Sequence, residues 1–153
     1  MLGTNEDLNK PSLEDRPHQP VFQAVLLYEN FSAGVDARRF CRQLVRKLDS
    51  AVQEQMWNFH VLGIHEVRNA AVRAAREADV VIISVSGHTE LPGDVHEWFE
   101  LWLRTGQSVG SALVALFDSS AAPAVPSTRT YLRSVARRAG IEFFSPWSEI
   151  KGD

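Results

Sequence analysis

The sequence has little that would mark a secreted, membrane-spanning or nucleic-acid-binding protein. Its single cysteine, Cys41, cannot form an internal disulfide and is expected to be a buried apolar group on a helix. No apolar run approaches the roughly 18 residues that a membrane helix needs, and the chain does not open on a basic segment followed by an apolar run. The net charge of −3 argues against a dominant affinity for nucleic acid. We therefore expect a cytoplasmic protein without membrane or nucleic-acid partners.

The strong signatures of nucleotide and metal chemistry are also missing. The sequence contains neither a P-loop nor a G-x-G-x-x-G glycine pattern, and Ser84 and Ser86 do not form a G-x-S-x-G nucleophile elbow. His96 and Glu97 resemble the start of an H-E-x-x-H zinc motif, but the second histidine is absent. The sequence therefore predicts no metal and no cofactor.

What the chain does contain is an alternation of short apolar runs with longer segments of helical period, which is typical of repeated βα units. The predicted strands are 21–28, 57–62, 80–85, 112–117 and 141–144, and the predicted helices are 35–48, 65–78, 94–104 and 127–139. The third and fourth strands are almost wholly apolar, as expected of strands buried on both faces. Right-handed crossovers then favour a three-layer, doubly wound parallel sheet of order 2-1-3-4-5, which resembles the flavodoxin fold.

Length and composition predict one folded domain. Residues 1–20 are polar and rich in proline, so we expect a flexible N-terminal arm before a single α/β domain over residues 21–153. In the predicted topology one helix covers the first sheet face and three cover the second, whereas the usual final helix of the first face is lacking. Part of the first face would be bare unless the arm or a second subunit covers it. Because large bare apolar patches are rare on soluble monomers, we predict a homodimer.

Candidate ligand-binding residues lie in two loops. Ligands of open parallel sheets bind beyond the carboxyl ends of the strands, where the strand order reverses. The loop after the first strand offers Tyr28, Glu29 and Ser32, although the favoured interpretation of Ser32 is a cap for the next helix. The loop after the third strand offers Ser86 and His88. If the protein binds a small molecule, we expect it between these loops.

Two carboxylates after the third strand resemble a catalytic pair. Asp94 and Glu100 are six positions apart, and they follow the segment Ala78-Asp79-Val80-Val81. This layout resembles nucleoside deoxyribosyltransferases, which implies a glutamate nucleophile positioned by an aspartate. The chain departs from that family where Trp98 and Phe99 replace small residues between the acids.

The enzymatic interpretation assigns roles to few residues. It takes Glu100 or Glu97 as the working carboxylate and Asp94 as the group that positions it, with Tyr28 or Ser86 binding substrate. A structural alternative is a capping box, in which Asp94 and Glu97 satisfy the first amide groups of the helix. An active carboxylate would have to face the cleft at the strand ends, whereas a capping or surface carboxylate would not.

The element order also resembles response-regulator receiver domains. Those domains have paired acids after the first strand, a phosphoacceptor aspartate after the third, and a lysine before a proline after the fifth. Here Glu29 is a lone acid, Ser84 and Ser86 occupy the phosphoacceptor region, and Ser145 precedes Pro146. The resemblance therefore implies a receiver relative without phosphotransfer.

Two helices suggest contacts with partners. The helix over residues 94–104 is apolar around most of its circumference, so it belongs either to the core or to a subunit contact. The last helix has a basic face that suits an acidic protein partner, formed by Arg129, Arg133, Arg137 and Arg138. The leading hypothesis is a non-catalytic, homodimeric regulatory or protein-interaction module, and the alternative is a small nucleoside- or nucleotide-processing enzyme.

Overall fold

The computed structural model describes residues 21–85, 90–106, 111–117 and 126–145. Within these ranges strands and helices alternate: β1 Val21–Tyr28, α1 Phe31–Leu48, β2 Ala51–Asn58, α2 His65–Arg76, β3 Val80–Val85, α3 Gly93–Thr105, β4 Ala112–Phe117, α4 Pro126–Ala139 and β5 Glu142–Phe144. A short 3-10 helix, Phe59–Gly63, joins β2 to α2. The predicted N-terminal arm lies outside the described residues.

All strand pairs in the sheet are parallel, and the strand order is β2-β1-β3-β4-β5. The predicted flavodoxin-like order is therefore confirmed. Every residue of β3 is buried, and in β4 only Ala112 is partly exposed. Their continuous apolar sequences suit strands that have a helical layer on either face.

The second strand lies earlier in the chain than the sequence pattern predicts. The prediction was 57–62, whereas β2 is Ala51–Asn58, followed by the 3-10 helix. Polar residues in β2 concealed its alternation, because Glu54 faces the α1 side together with apolar neighbours. Phe59 and Leu62 are buried by the 3-10 helix rather than by a strand. The predicted edge position of this strand is correct.

The larger part of the core lies between the sheet and the layer of α2, α3 and α4. Trp98, Phe99 and Trp102 of α3 are each 0% exposed there, so their place is the core and not a subunit contact. The rings of Trp98 and Trp102 stack with their centroids 5.6 Å apart. None of the helices in the described ranges is long and apolar enough to cross a membrane.

The opposite face of the sheet is covered by α1, whose two flanks differ in chemistry. Arg38 and Arg42 reach Glu54 of β2, at 3.3 Å and 4.0 Å respectively. Helical geometry puts Phe40 and Leu44 on the other flank, toward β4. Both of these apolar side chains are partly exposed. The helix therefore has a basic flank over β2 and an apolar flank toward β4.

Beyond that apolar flank lies a sheet region that we call the open half, formed on the α1 face by β4 and β5. No other described helix lies on this face. Val114 and Leu116 are nonetheless 3% and 1% exposed, whereas Phe144, which pairs with Val114 in register, is 47% exposed. Within the described residues, the outer edge of this face, at Phe144, is therefore in contact with solvent.

The buried thiol of Cys41 gives a first testable prediction. Burial raises the pKa of Cys41 to about 12, and the nearby Glu54 carboxylate adds to this effect. The native thiol should therefore react with a disulfide reagent at pH 8 at least about a hundredfold more slowly than the unfolded protein, since only the thiolate attacks. Absorbance assays with and without denaturant measure both rates. Comparable rates would contradict the burial of Cys41.

Candidate functional site

The end of β1 is closely packed against the start of α1. The Tyr28 ring lies over Gly34, where an added Cβ would be 3.0 Å from ring carbon Cδ2. The backbone N–H of Glu29 donates to the Ser84 carbonyl at 3.1 Å, which extends the β1–β3 pairing beyond the strand. The Tyr28 ring is therefore packed against the first turn of α1, and this close approach requires a glycine at position 34.

The first helix begins one turn earlier than predicted, and its cap is Asn30 rather than Ser32. The Asn30 side-chain oxygen accepts a hydrogen bond from the Ala33 N–H at 2.9 Å. Asparagine caps helices as well as serine does, and the pattern over 35–48 missed the first turn because Phe31 faces solvent. Phe31 is 83% exposed, and Ser32 is exposed beside it.

The structure describes the loop after β3 only from Glu90 onward. Ser86 and His88, the two ligand-binding candidates there, lie outside the described residues. After them, the Glu90 carboxylate accepts a hydrogen bond from the Ser127 hydroxyl at 3.1 Å. This contact links the loop to the first turn of α4, at the carboxyl edge of the sheet.

The predicted capping box of Asp94 and Glu97 is wrong. Helix α3 begins at Gly93 after Pro92, and no side chain caps it. Asp94 lies in the first turn, where its negative charge interacts favourably with the helix dipole. One of its carboxylate oxygens is also 3.8 Å from a guanidinium nitrogen of Arg68. Because the helix starts at Gly93, one residue before the predicted start, Asp94 lies inside the first turn and not at the N-cap position.

Glu100 of α3 is linked to α4 by a two-point contact with Arg138. Two nitrogens of Arg138 donate to its two oxygens at 2.8 Å and 3.1 Å, and the Tyr131 hydroxyl donates at 3.0 Å. The Arg138 hydrogen bonds hold the pKa of Glu100 below its ordinary value of 4.5, with Tyr131 assisting. Burial and Glu100 together raise the pKa of Tyr131. Glu100 is therefore an ionised, hydrogen-bonded link between helices.

The structure does not bring the two candidate catalytic carboxylates together. Asp94 faces Arg68 of α2, whereas Glu100 faces α4, and these helices lie on opposite sides of α3. Glu97 is exposed to solvent. Within the described ranges, no group of three or more histidine, cysteine, aspartate or glutamate side chains could hold a metal ion.

A cluster that sequence reasoning missed lies at the carboxyl ends of β4 and β5. Arg129 donates to the Ser145 hydroxyl at 2.9 Å, and its guanidinium carbon lies 4.7 Å from the centre of the Phe117 ring. Burial lowers the pKa of Arg129, and the charge of Arg133 adds to this. From the sequence, only a basic helical face can be predicted here, because no sequence pattern places Ser145 and Phe117 beside Arg129.

Comparison with known proteins identifies the fold and nothing finer. No protein family matches the sequence, and no curated protein matches it either. Among solved structures, the chain is similar to a short-chain flavodoxin associated with a bacterial microcompartment, with a TM-score of 0.51 and 12% identity. The match covers 81% of this chain and 82% of that one. The chain thus has a flavodoxin-like α/β fold.

The Glu100 contacts predict a pH-dependent contribution to stability. A carboxyl whose pKa is lowered by folding stabilises the native state above its unfolded pKa, and this contribution is lost as pH falls through the folded pKa. Glu100→Gln should therefore lower the melting temperature at pH 7 by about 1–3 °C, the range for a partly exposed pair. The difference from wild type should shrink below pH 4.5, the ordinary value.

Thermal unfolding followed by circular dichroism measures this effect across the pH range. Glu97→Gln is the matched control, because Glu97 lies on the same helix but is exposed to solvent. A Glu100→Gln effect that persists unchanged well below pH 4.5, or an equal effect of the control, would contradict the assigned role of the Arg138 contact.

Proposed function

We propose that the protein is a non-catalytic regulatory or protein-interaction module of flavodoxin-like fold that acts as a homodimer. The observation that supports this most directly is the exposed Phe144 at the edge of the open half, 47% accessible in a face that has one described helix. Aromatic side chains are enriched at the buried centres of protein interfaces. A second copy of the chain would remove this ring from water.

The open half is formed by apolar side chains, as expected of a contact between identical subunits. Phe40 on the apolar flank of α1 packs against the cluster that contains the buried Val114, and Phe144 pairs with Val114 in register. A two-fold axis through this region would set each apolar flank against the partner's β5, because both subunits use the same surface in such a dimer. Removal of apolar area from water then stabilises the dimer.

The regulatory part of the proposal rests on the end of β3. Ser84 occupies the region where receiver domains have a phosphoacceptor aspartate, and its side chain is 2% exposed. A buried serine there provides no carboxylate for phosphotransfer. A module that works through binding needs no such group, so the fold and this substitution are consistent with an interaction role.

The enzymatic alternative has less support from the geometry. A nucleophilic carboxylate must be free to approach substrate, whereas Glu100 accepts three hydrogen bonds from Arg138 and Tyr131. Asp94, its intended partner, faces a different helix. The described residues thus favour binding over catalysis.

The dimer proposal predicts a single-residue switch of oligomeric state. Light scattering of the purified protein at micromolar concentration should give twice the mass of one chain. Phe144→Asp should give a monomer, because the free-energy cost of burying an unpaired carboxylate exceeds the stabilisation from the apolar contact.

Ile64→Asp is the matched control for this switch. Ile64 is 52% exposed but lies at the start of α2, on the other side of the sheet, so the control should stay dimeric. A monomeric wild-type protein would contradict the proposed homodimer. A dimeric Phe144→Asp variant would show that the subunits meet elsewhere.

A further inference from the structure

The outer side of α1, on its basic flank, has a continuous exposed surface. We call it the α1 stripe, and it is formed by Phe31, Val35, Arg38, Arg39, Arg42 and Arg46. The fifteen-residue separation of its ends corresponds to roughly 22 Å along the helix. Phe31 and Val35 are 83% and 38% exposed at one end, and the arginines follow them.

Shallow depressions run along the stripe. One, with a volume of about 350 Å³, is lined by Val35, Gln43 and the four arginines. A second, of about 470 Å³, continues from Arg42 and Arg46 past Asp49 to Ala51 and Val52 at the start of β2. Both depressions are wide open to solvent, so the surface is a shallow, uneven helix face that an extended segment could lie along.

The four arginines of the stripe outnumber the three carboxylates that lie beside them, those of Asp36, Asp49 and Glu54. Arg38 and Arg42 share one carboxylate, that of Glu54, at 3.3 Å and 4.0 Å. Arg39 is 3.4 Å from Asp36, and Arg46 has no ion pair with any residue that the structure describes. On a chain with a net charge of −3, this is a local concentration of the opposite sign.

We propose that the α1 stripe binds an acidic segment of another protein, with an apolar side chain of that segment packed on Phe31 and Val35. Arg38, Arg42 and Arg46 repeat once per helical turn, so their Cα atoms are about 6 Å apart. An extended segment places alternate side chains on one side at intervals of about 6.6 Å. Carboxylates at alternate positions therefore match the arginine row, each as a charge-assisted hydrogen-bond acceptor.

Other ligands fit this surface less well. A small anion would occupy one or two arginines and leave the apolar end unused. Nucleic acid would gain from the arginines but has no apolar side chain for Val35, and the net charge of −3 opposes its approach. The stripe is also separate from the open half, which lies on the other flank of α1, so this inference stands whether or not the protein is a dimer.

The test uses a fluorescein-labelled peptide with glutamates at alternate positions and leucines at one end, made in both orientations. Fluorescence anisotropy should detect binding of one orientation to the full-length protein. Affinity should fall steeply with added salt, since exposed charges make most of the contact. A double change, Arg42→Gln with Arg46→Gln, should weaken binding by about tenfold or more, and Phe31→Ser should weaken it separately.

The matched control is a second double change, Arg73→Gln with Arg137→Gln. This change alters the net charge equally, but at exposed positions on helices of the opposite layer. It should leave the affinity for the peptide within about twofold of wild type. Unfolding curves check that each variant is folded. Equal weakening by the control would overturn the proposal, because net charge alone would then explain binding. Failure of both peptides to bind at millimolar concentration would overturn it as well.

Three further outcomes would assign the stripe to another occupant. Tighter binding of a single-stranded oligonucleotide than of the peptide would replace the acidic protein with nucleic acid. Binding that appears only after Glu14→Gln and Asp15→Asn changes would identify this chain's own residues 1–20 as the occupant. A loss of dimer in the Arg42 and Arg46 variant would make the stripe a contact between copies.

Discussion

The burial of the inner strands on both faces determines which surfaces remain for binding. β1, β3 and β4 are rich in apolar side chains that point both ways, so each face of the sheet needs a covering layer. Three helices form one layer, whereas α1 is the one described helix in the other. On the face that α1 covers, the inner strands are buried, and the exposed apolar and basic groups lie at the outer edge, at Phe144, and on the solvent side of the helix.

How well an element could be predicted depended on how many faces of it are buried. The bounds of β3 and β4 match the prediction, because a strand buried on both faces is a continuous apolar run with polar ends. β2 is at an edge, and its position was wrong by several residues because Glu54 and its glutamine neighbours interrupt the apolar alternation. The start of α1 was missed because Phe31, an aromatic residue, faces solvent.

The candidate site was harder to predict because its groups are defined by neighbours that are distant in sequence. Spacing put Asp94 and Glu100 on one helix, but their partners Arg68 and Arg138 come from different helices. No pattern within α3 reports which side chains the flanking helices supply. The six-residue interval therefore resembled a catalytic pair, although packing directs the two carboxylates to opposite sides.

The two surfaces proposed for binding, at Phe144 and along the α1 stripe, rely on different forces. Apolar contact at Phe144 depends on area removed from water and responds weakly to salt, whereas the arginine row depends on charge and weakens as ions screen it. Glu54 reinforces the separation, since it partly neutralises Arg38 and Arg42 and ties them to the β2 side. In the proposed arrangement a second copy and an acidic segment occupy different flanks of α1, so moderate salt would release only the acidic segment.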